Sequence, residues 1–441
     1  MIANPIPAPA TGLAARSTRL LALSVAMALI AGCGGGGGSA EVPAPPPPTP
    51  SPPPAPTLAI SAQPANQAVI TGQSARFSIS ATGSGSLSYQ WRLNGVDVSG
   101  ATASSFVPKA LDTGQDNAQV SVRVGDANGS LMSAAATLRV YSPANVPAAT
   151  LNPLVPSFSD TSIDDSVGSH LAAVNAAVAS QGRLFVFFPA SGSVPTQTQL
   201  LLNAAANNGF HVLGLAYPND VVVSLLCSRS SDPNCLGNAR EEIRTGADVS
   251  SGITVSPGNS IENRIVKALR YLRLQQPGQG WDQFLDSNNA VRWELLRLSG
   301  HSQGGGHAAY LATQHAVDRA CYFSSPADYD NVRDAPATWI TATGPTPGSR
   351  MYGFAHQRDP IVPFKEVVPI WTAFGMAGFG AATLIDGASP ADYQGRHMLY
   401  TNVGDLSFSN HGVTVTDGAT PLDASTGVPV FMPIWQYSCF L

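Results

Sequence analysis

The stretch Gly300-His301-Ser302-Gln303-Gly304 decides how this chain is read. It follows Glu294-Leu295-Leu296-Arg297-Leu298-Ser299, which reads as a strand. It precedes Gly305-Gly306-His307-Ala308-Ala309-Tyr310-Leu311-Ala312, which reads as the start of a helix. Strand, G-x-S-x-G, helix is the arrangement that presents a serine on a sharp turn at the end of a sheet strand. The turn crowds the backbones of strand and helix, so the residues flanking the serine must be small, and Gly300 and Gly304 meet that need. Ser302 is therefore the candidate nucleophile. A serine hydroxyl attacks poorly until a base takes its proton, so the pattern calls for a histidine and an orienting acid elsewhere in the chain.

Around this stretch, from about residue 150 onward, strands alternate with helices, the pattern of a mostly parallel sheet flanked by helices. Arg183-Leu184-Phe185-Val186-Phe187-Phe188 is a continuous apolar run, as a strand buried on both faces requires. The segment 196–207 predicts a helix and Phe210-His211-Val212-Leu213-Gly214-Leu215 the next strand. Ile261, Ile265, Ala268, Leu269 and Leu272 recur at helical spacing, with Asn259 or Ser260 as N-cap and Pro277-Gly278 as stop. Residues 319–325 and 350–355 predict later strands.

The run Gly300-His301-Ser302-Gln303-Gly304-Gly305-Gly306-His307-Ala308-Ala309, set in this α/β alternation, resembles the α/β-hydrolases, in particular a branch of bacterial serine hydrolases. The resemblance covers roughly 180–441 and implies the order nucleophile, acid, histidine along the chain. It assigns Ser302 as nucleophile and Asp359, after the strand two beyond that of Ser302, as the acid, with Asp328 and Asp330 in reserve. Of the eight histidines, His411 in Ser409-Asn410-His411-Gly412 stands where the family places its base. His397, ahead of Met398-Leu399-Tyr400, is the alternative base. The resemblance further implies an oxyanion hole from the N–H groups of Gln303 and Ser191, the latter in Pro189-Ala190-Ser191-Gly192-Ser193. The long segment from about 217 to 258 is expected to act as a lid or wall of the substrate pocket.

Residues 57–142 have a different character. Ala75-Arg76-Phe77-Ser78-Ile79-Ser80-Ala81, Leu87-Ser88-Tyr89-Gln90-Trp91-Arg92-Leu93 and Gln119-Val120-Ser121-Val122-Arg123-Val124 alternate at period two. Asn94-Gly95 ahead of Val96-Asp97-Val98 signals a hairpin. With Gly72-Gln73-Ser74-Ala75 and Tyr89-Gln90-Trp91, the segment resembles an immunoglobulin-like sandwich, Trp91 standing for the buried tryptophan of that family. Ile79 and Val122 occupy the places of its paired cysteines, and Val120 stands near its corner tyrosine. The core must then rest on apolar burial alone. The expected role is a spacer.

The N-terminus is read as a targeting segment over 1–32: Arg16 and Arg19, the apolar run Leu20 to Ile30, then Ile30-Ala31-Gly32-Cys33. The last four resemble a lipobox, which implies acylation of Cys33. An ordinary secretory signal cut near Gly32 is the alternative. Residues 33–56, Gly-rich and then Pro-rich, read as a tether. The expected destination is the outer membrane or cell surface, held by the lipid anchor alone, or release outside the cell.

Cys33 aside, Cys227, Cys235, Cys321 and Cys439 are an even set in an exported chain, which favours disulfides. Cys227 and Cys235 close a short polar loop and are expected to pair, leaving Cys321 with Cys439. Their spacing matches no zinc pattern. Charged residues make up 12% with a formal net charge of −5 and no basic run, which argues against a nucleic-acid partner. No metal-ligand cluster or dinucleotide fingerprint is found, so no cofactor is expected.

The leading expectation is an extracytoplasmic serine hydrolase of carboxylic esters, small or polymeric, working through an acyl-enzyme. Polyester depolymerisation or polysaccharide deacetylation is a second reading. A non-enzymatic surface adhesion or scaffold lipoprotein is a third.

Overall fold

Leu184–Phe188 is the centre from which the larger part of the molecule is built. All five residues are fully buried. Successive side chains point to opposite faces of a strand, so the run feeds two cores at once. Leu184, Val186 and Phe188 enter one, and Phe185 and Phe187 enter the other. The computed structural model describes residues 57–71, 74–108, 111–142, 148–165, 168–388, 390–404 and 409–441. The expected targeting segment over 1–32, Cys33, the expected tether over 33–56 and Gly72-Gln73 lie outside the described residues.

The sheet contains β1 (Asn152–Leu154), β2 (His170–Ala173), β3 (Leu184–Phe188), β4 (His211–Gly214), β5 (Leu296–His301), β6 (Arg319–Phe323), β7 (Met351–His356), β8 (Thr383–Leu384) and β9 (Met398–Thr401). Their spatial order is β1-β2-β4-β3-β5-β6-β7-β9-β8. The pairs from β4 to β8 are parallel. β1 and β2 join antiparallel at one edge, so the sheet is mixed. The chain runs from β3 outward to β4 and then returns to place β5 on the other side of β3. Strand order reverses there, and the carboxyl ends of β3 and β5 flank a crevice open to a ligand.

Helices cover both faces. α1 (Gln199–Asn207) and the C-terminal segment around Trp435 and Phe440 pack on Phe185 and Phe187. The opposite face is covered by α3 (Cys235–Thr245), α4 (Ile261–Gln275), α5 (Gln303–Gln314) and α6 (Phe364–Ala373). Ser260 is the N-cap of α4, its hydroxyl accepting from Asn263 N–H. Asn259 instead holds the neighbouring loop, its side-chain carbonyl accepting from Asp165 N–H at 3.0 Å.

Both expected disulfides are present, Cys227–Cys235 and Cys321–Cys439. The second fastens the C-terminal segment to β6 across 118 residues of sequence. Paired cysteines suit an oxidising compartment outside the cytoplasm. Among the described residues no helix is long and apolar enough to cross a membrane.

Residues 59–141 form a β-module around Trp91, which is fully buried between Phe77 and Phe106 and donates from its indole N–H to Ala103 O at 2.9 Å. Its six-stranded sheet is joined by two two-stranded ribbons, Ala59–Ala62 with Ser80–Thr82 and Phe77–Ser78 with Ser105–Phe106. Ile79, Val120 and Val122 are buried, so apolar side chains fill this core without a disulfide. Asn94 and Gly95 carry φ of 50° and 79°, the backbone that a two-residue hairpin turn needs. They connect Ser88–Leu93 to Val96–Asp97.

Candidate active site

β5 ends at His301, and Ser302 follows with φ 54° and ψ −122°. A positive φ on a non-glycine residue is strained and persists only where its surroundings enforce it. Here Ser302 N–H donates to Phe323 O at 3.0 Å, and Ser325 Oγ donates to Ser302 O at 2.8 Å. α5 begins at Gln303, so the turn is a single residue long. A Cβ on Gly300 would lie 2.4 Å from the Gly304 carbonyl carbon, and one on Gly304 would lie 2.1 Å from Phe188 O. Neither contact is physically possible, which is why this serine is framed by glycines.

Asp359 sits just past β7. Its carboxylate accepts from His411 Nδ1 at 2.8 and 3.0 Å, and from the N–H groups of Ile361 and Val362 at 2.8 and 3.0 Å. Burial pushes this carboxyl up, but the His411 imidazole and the two backbone donors outweigh it and hold the group below the ordinary carboxylate range. His411 lies in a short helical turn, Ser409–Gly412, rather than in the open loop expected from its polar sequence. With Nδ1 bound to the carboxylate, Nε2 is the nitrogen left for other chemistry.

Ser302 and His411 line one cavity of about 360 Å³. Ala190, Ser191 and Ser193 from the loop after β3 line it too, with Gln303 at the start of α5. In that loop Gly192 N–H donates to Asn219 O and Ser193 N–H to Ala190 O, while no hydrogen bond is made by Ser191 N–H among the described residues. Gln303 N–H belongs to the first turn of α5, where backbone donors lack intrahelical partners. Val222, Leu225, Ala327, Ile361 and Val362 supply apolar wall, and Leu225 and Ile361 remain exposed at the rim.

The segment 217–258 forms part of the cavity wall. It contributes Val222, Ser224 and Leu225 from the region of α2 (Val223–Cys227), and Arg240 from α3. Arg240 is buried and paired with the equally buried Asp328, Nε to Oδ1 at 3.0 Å and Nη2 to Oδ2 at 2.7 Å. Asp328 is therefore committed to arginine, and Asp330 to Arg333. Neither reserve acid meets a histidine.

His397 is brought to a different place. Its ring is stacked between Tyr352 and Phe379, both centroids 4.0 Å away, and Nδ1 faces the carbonyls of Gly348 and Met351. It does not line the cavity.

Sequence reasoning passed over two residues. His301 does reach the site: its ring lies 4.6 Å from that of His411, and its Nε2–H donates to His411 O at 2.8 Å. Burial lowers its pKa to about 3, so it stays neutral and works by holding the loop of His411. The only signal for it was a bulky polar residue in the second position of the pentapeptide. Arg240 was the other, in a helix whose apolar stripe is only Leu236, Ala239 and Ile243 among polar and charged residues.

Among the described residues no group of three or more His, Cys, Asp or Glu side chains is arranged to hold a metal ion. No family model matches this chain, and no curated protein matches it. Several solved structures are similar to part of it. Sidekick-1 immunoglobulin domains 1–4 match at 15% identity over 22% of this chain and 24% of that one, TM-score 0.18. The N-terminal Ig1-2 module of the Drosophila receptor protein tyrosine phosphatase DLAR matches at 20% identity over 31% and 61%, TM-score 0.19. A titin I-band fragment, I67–I69, matches at 14% over 22% and 35%, TM-score 0.18. The chain thus spans about a quarter of the first of these structures. The first two are immunoglobulin-domain structures.

Proposed function

We propose that this protein is a serine hydrolase of carboxylic esters, built as an α/β-hydrolase behind an immunoglobulin-like module. The observation that carries the reading is the sharing of one cavity by a serine on a strained strand-to-helix turn and a histidine whose far nitrogen is bound by a buried carboxylate.

Ser302 Oγ attacks the ester carbonyl while His411 Nε2 takes its proton. Asp359 holds the Nδ1–H tautomer and stabilises the imidazolium. The carbonyl oxygen, now negative, accepts from Gln303 N–H and Ser191 N–H, an interaction for which one donor is worth about 3–4 kcal/mol. Collapse of the intermediate expels the alcohol, which takes the proton from His411, and leaves the acyl group on Ser302. Water then attacks with His411 again as base, releasing the acid and the free serine. The chemistry needs no group beyond these residues and water. The apolar walls, and an Arg240 whose charge Asp328 balances, favour an uncharged ester with an apolar acyl chain.

The lipobox-like Ile30-Ala31-Gly32-Cys33 and the tether after it support export and anchoring through acylated Cys33, with the β-module as spacer. Reaction with a fluorophosphonate, followed by mapping of the labelled peptide, tests the enzymatic reading. Label on Ser302 supports it. A folded protein that neither labels nor hydrolyses p-nitrophenyl esters would instead be a scaffold.

A further inference from the structure

We propose that Arg240, reaching in from the 217–258 segment, is a positioning residue for the Gln303 N–H donor, so that this segment is part of the catalytic apparatus. The proposal rests on the reading of Ser302 as nucleophile.

Gln303 is held from several directions. Arg240 Nη1 donates to its carbonyl at 2.8 Å. Its side-chain Oε1 accepts from Val223 N–H at 2.9 Å and from Ser191 Oγ at 3.0 Å, and its Nε2 donates to Val221 O at 2.9 Å. Three of these four partners belong to the 217–258 segment. The fourth, Ser191, is the residue of the second oxyanion donor, so the two donors are tied together through one glutamine side chain.

An arginine lining a catalytic cavity would ordinarily suggest an anionic substrate. Asp328 argues otherwise here, because it takes both Nε and Nη2 in a forked pair and cancels the charge. The fork also fixes the plane of the guanidinium, which aims Nη1 at the Gln303 carbonyl. The fit is close: a Cβ on Gly306 would lie 2.1 Å from Arg240 Nη2, so α5 has room for this guanidinium only because that position is glycine. The Cys227–Cys235 disulfide links α2, adjoining Val221, to α3, which carries Arg240, and closes the frame. A donor held in this way need not reorganise as charge builds on the oxyanion, which is the source of its catalytic value.

The test compares the wild type with Arg240→Lys and with the double variant Arg240→Met/Asp328→Leu. The double variant leaves no unpaired buried charge, so it separates catalysis from folding. Lysine keeps a charge opposite Asp328 but loses the planar fork. With p-nitrophenyl butyrate, kcat should fall about 10- to 100-fold in both while KM stays within about twofold, since the contact acts on the transition state. The double variant should melt close to the wild type. A double variant that melts normally and turns over at the wild-type kcat would overturn the proposal and leave the pair a packing element. If the double variant does not fold, Arg240→Lys decides: wild-type kcat overturns the proposal, and a lowered kcat with unchanged KM supports it. A wild type that neither hydrolyses the ester nor labels at Ser302 would overturn the functional reading itself, which no behaviour of these variants can mimic.

Discussion

His411 and His397 are the same side chain on either side of one strand, Met398–Thr401, and burial does not tell them apart: they are 7% and 4% exposed. Both engage Nδ1. Around His411 the partner is a carboxylate and the ring borders a cavity shared with Ser302. Around His397 the partners are two carbonyls and the ring is closed between two aromatic faces. A carboxylate favours the imidazolium that base catalysis creates, and an open cavity gives it a proton to take. Burial lowers the pKa of His397, and the two carbonyls offset this only in part, so that ring is held neutral as a packing element. On the proposed reading, what suits a histidine to base catalysis is its partner and its access, neither of which is a property of its local sequence.

The largest effect expected on the His411 side is from Ser302→Ala, which should lower kcat on p-nitrophenyl butyrate by about 10⁶-fold, the loss typical of removing a nucleophile that acts as a unit with its base. Asp359→Asn should come next, at about 10⁴-fold, because an amide no longer selects the Nδ1–H tautomer. A steady-state assay on folded protein measures both. If Asp359→Asn turned over normally, the distinction between the carboxylate-bound and carbonyl-bound histidine would lose its catalytic meaning.

Away from the cavity the expected effects are on stability. Removing the Cys321–Cys439 link by Cys321→Ala with Cys439→Ala should cost about 2–5 kcal/mol in urea unfolding, because its loop is long. That loss should leave kcat of the folded fraction near the wild type.

Buried neutral histidines give a pH dependence of known sign. Burial lowers His301 and His170 to about 3, below the value of about 6.5 in an unfolded chain. Between these limits the unfolded chain binds protons that the native state refuses. Stability is therefore fully present above pH ~6.5 and is lost as pH falls toward 3. Lowering the pH from 7 to 5 should cost about 1–2 kcal/mol for each, read as a shift in the urea midpoint. His301→Asn should flatten that slope. A slope unchanged by His301→Asn would show that the ring is protonated in the native state.

The strand-turn-helix around Ser302 was legible because glycine spacing is a direct consequence of backbone crowding at the turn. Leu184–Phe188 and the Asn94-Gly95 hairpin were legible for similar local reasons, and the disulfides from loop length and number. β1 and β2 were not, being strands of only three and four residues whose antiparallel pairing is set by distant neighbours. The helix Cys235–Thr245 was also hidden, since it buries Arg240 and Glu242 among its polar residues. Glu242 is buried because it accepts from the N–H groups of Val249, Ser250 and Val255, replacing backbone partners that a loop lacks. Arg240 serves Asp328, 88 residues away, and Glu242 serves a loop 7 to 13 residues on, relations that periodicity does not encode.

The most direct measurement is kcat/KM for p-nitrophenyl butyrate in His411→Gln and His397→Gln, each checked for folding by its melting curve. A loss of at least about 10⁴-fold is expected in the first and a change of no more than about a few-fold in the second, with the second variant destabilised by about 1–3 kcal/mol. Full activity in folded His411→Gln, or its loss in folded His397→Gln alone, would contradict the assignment of His411 as the base.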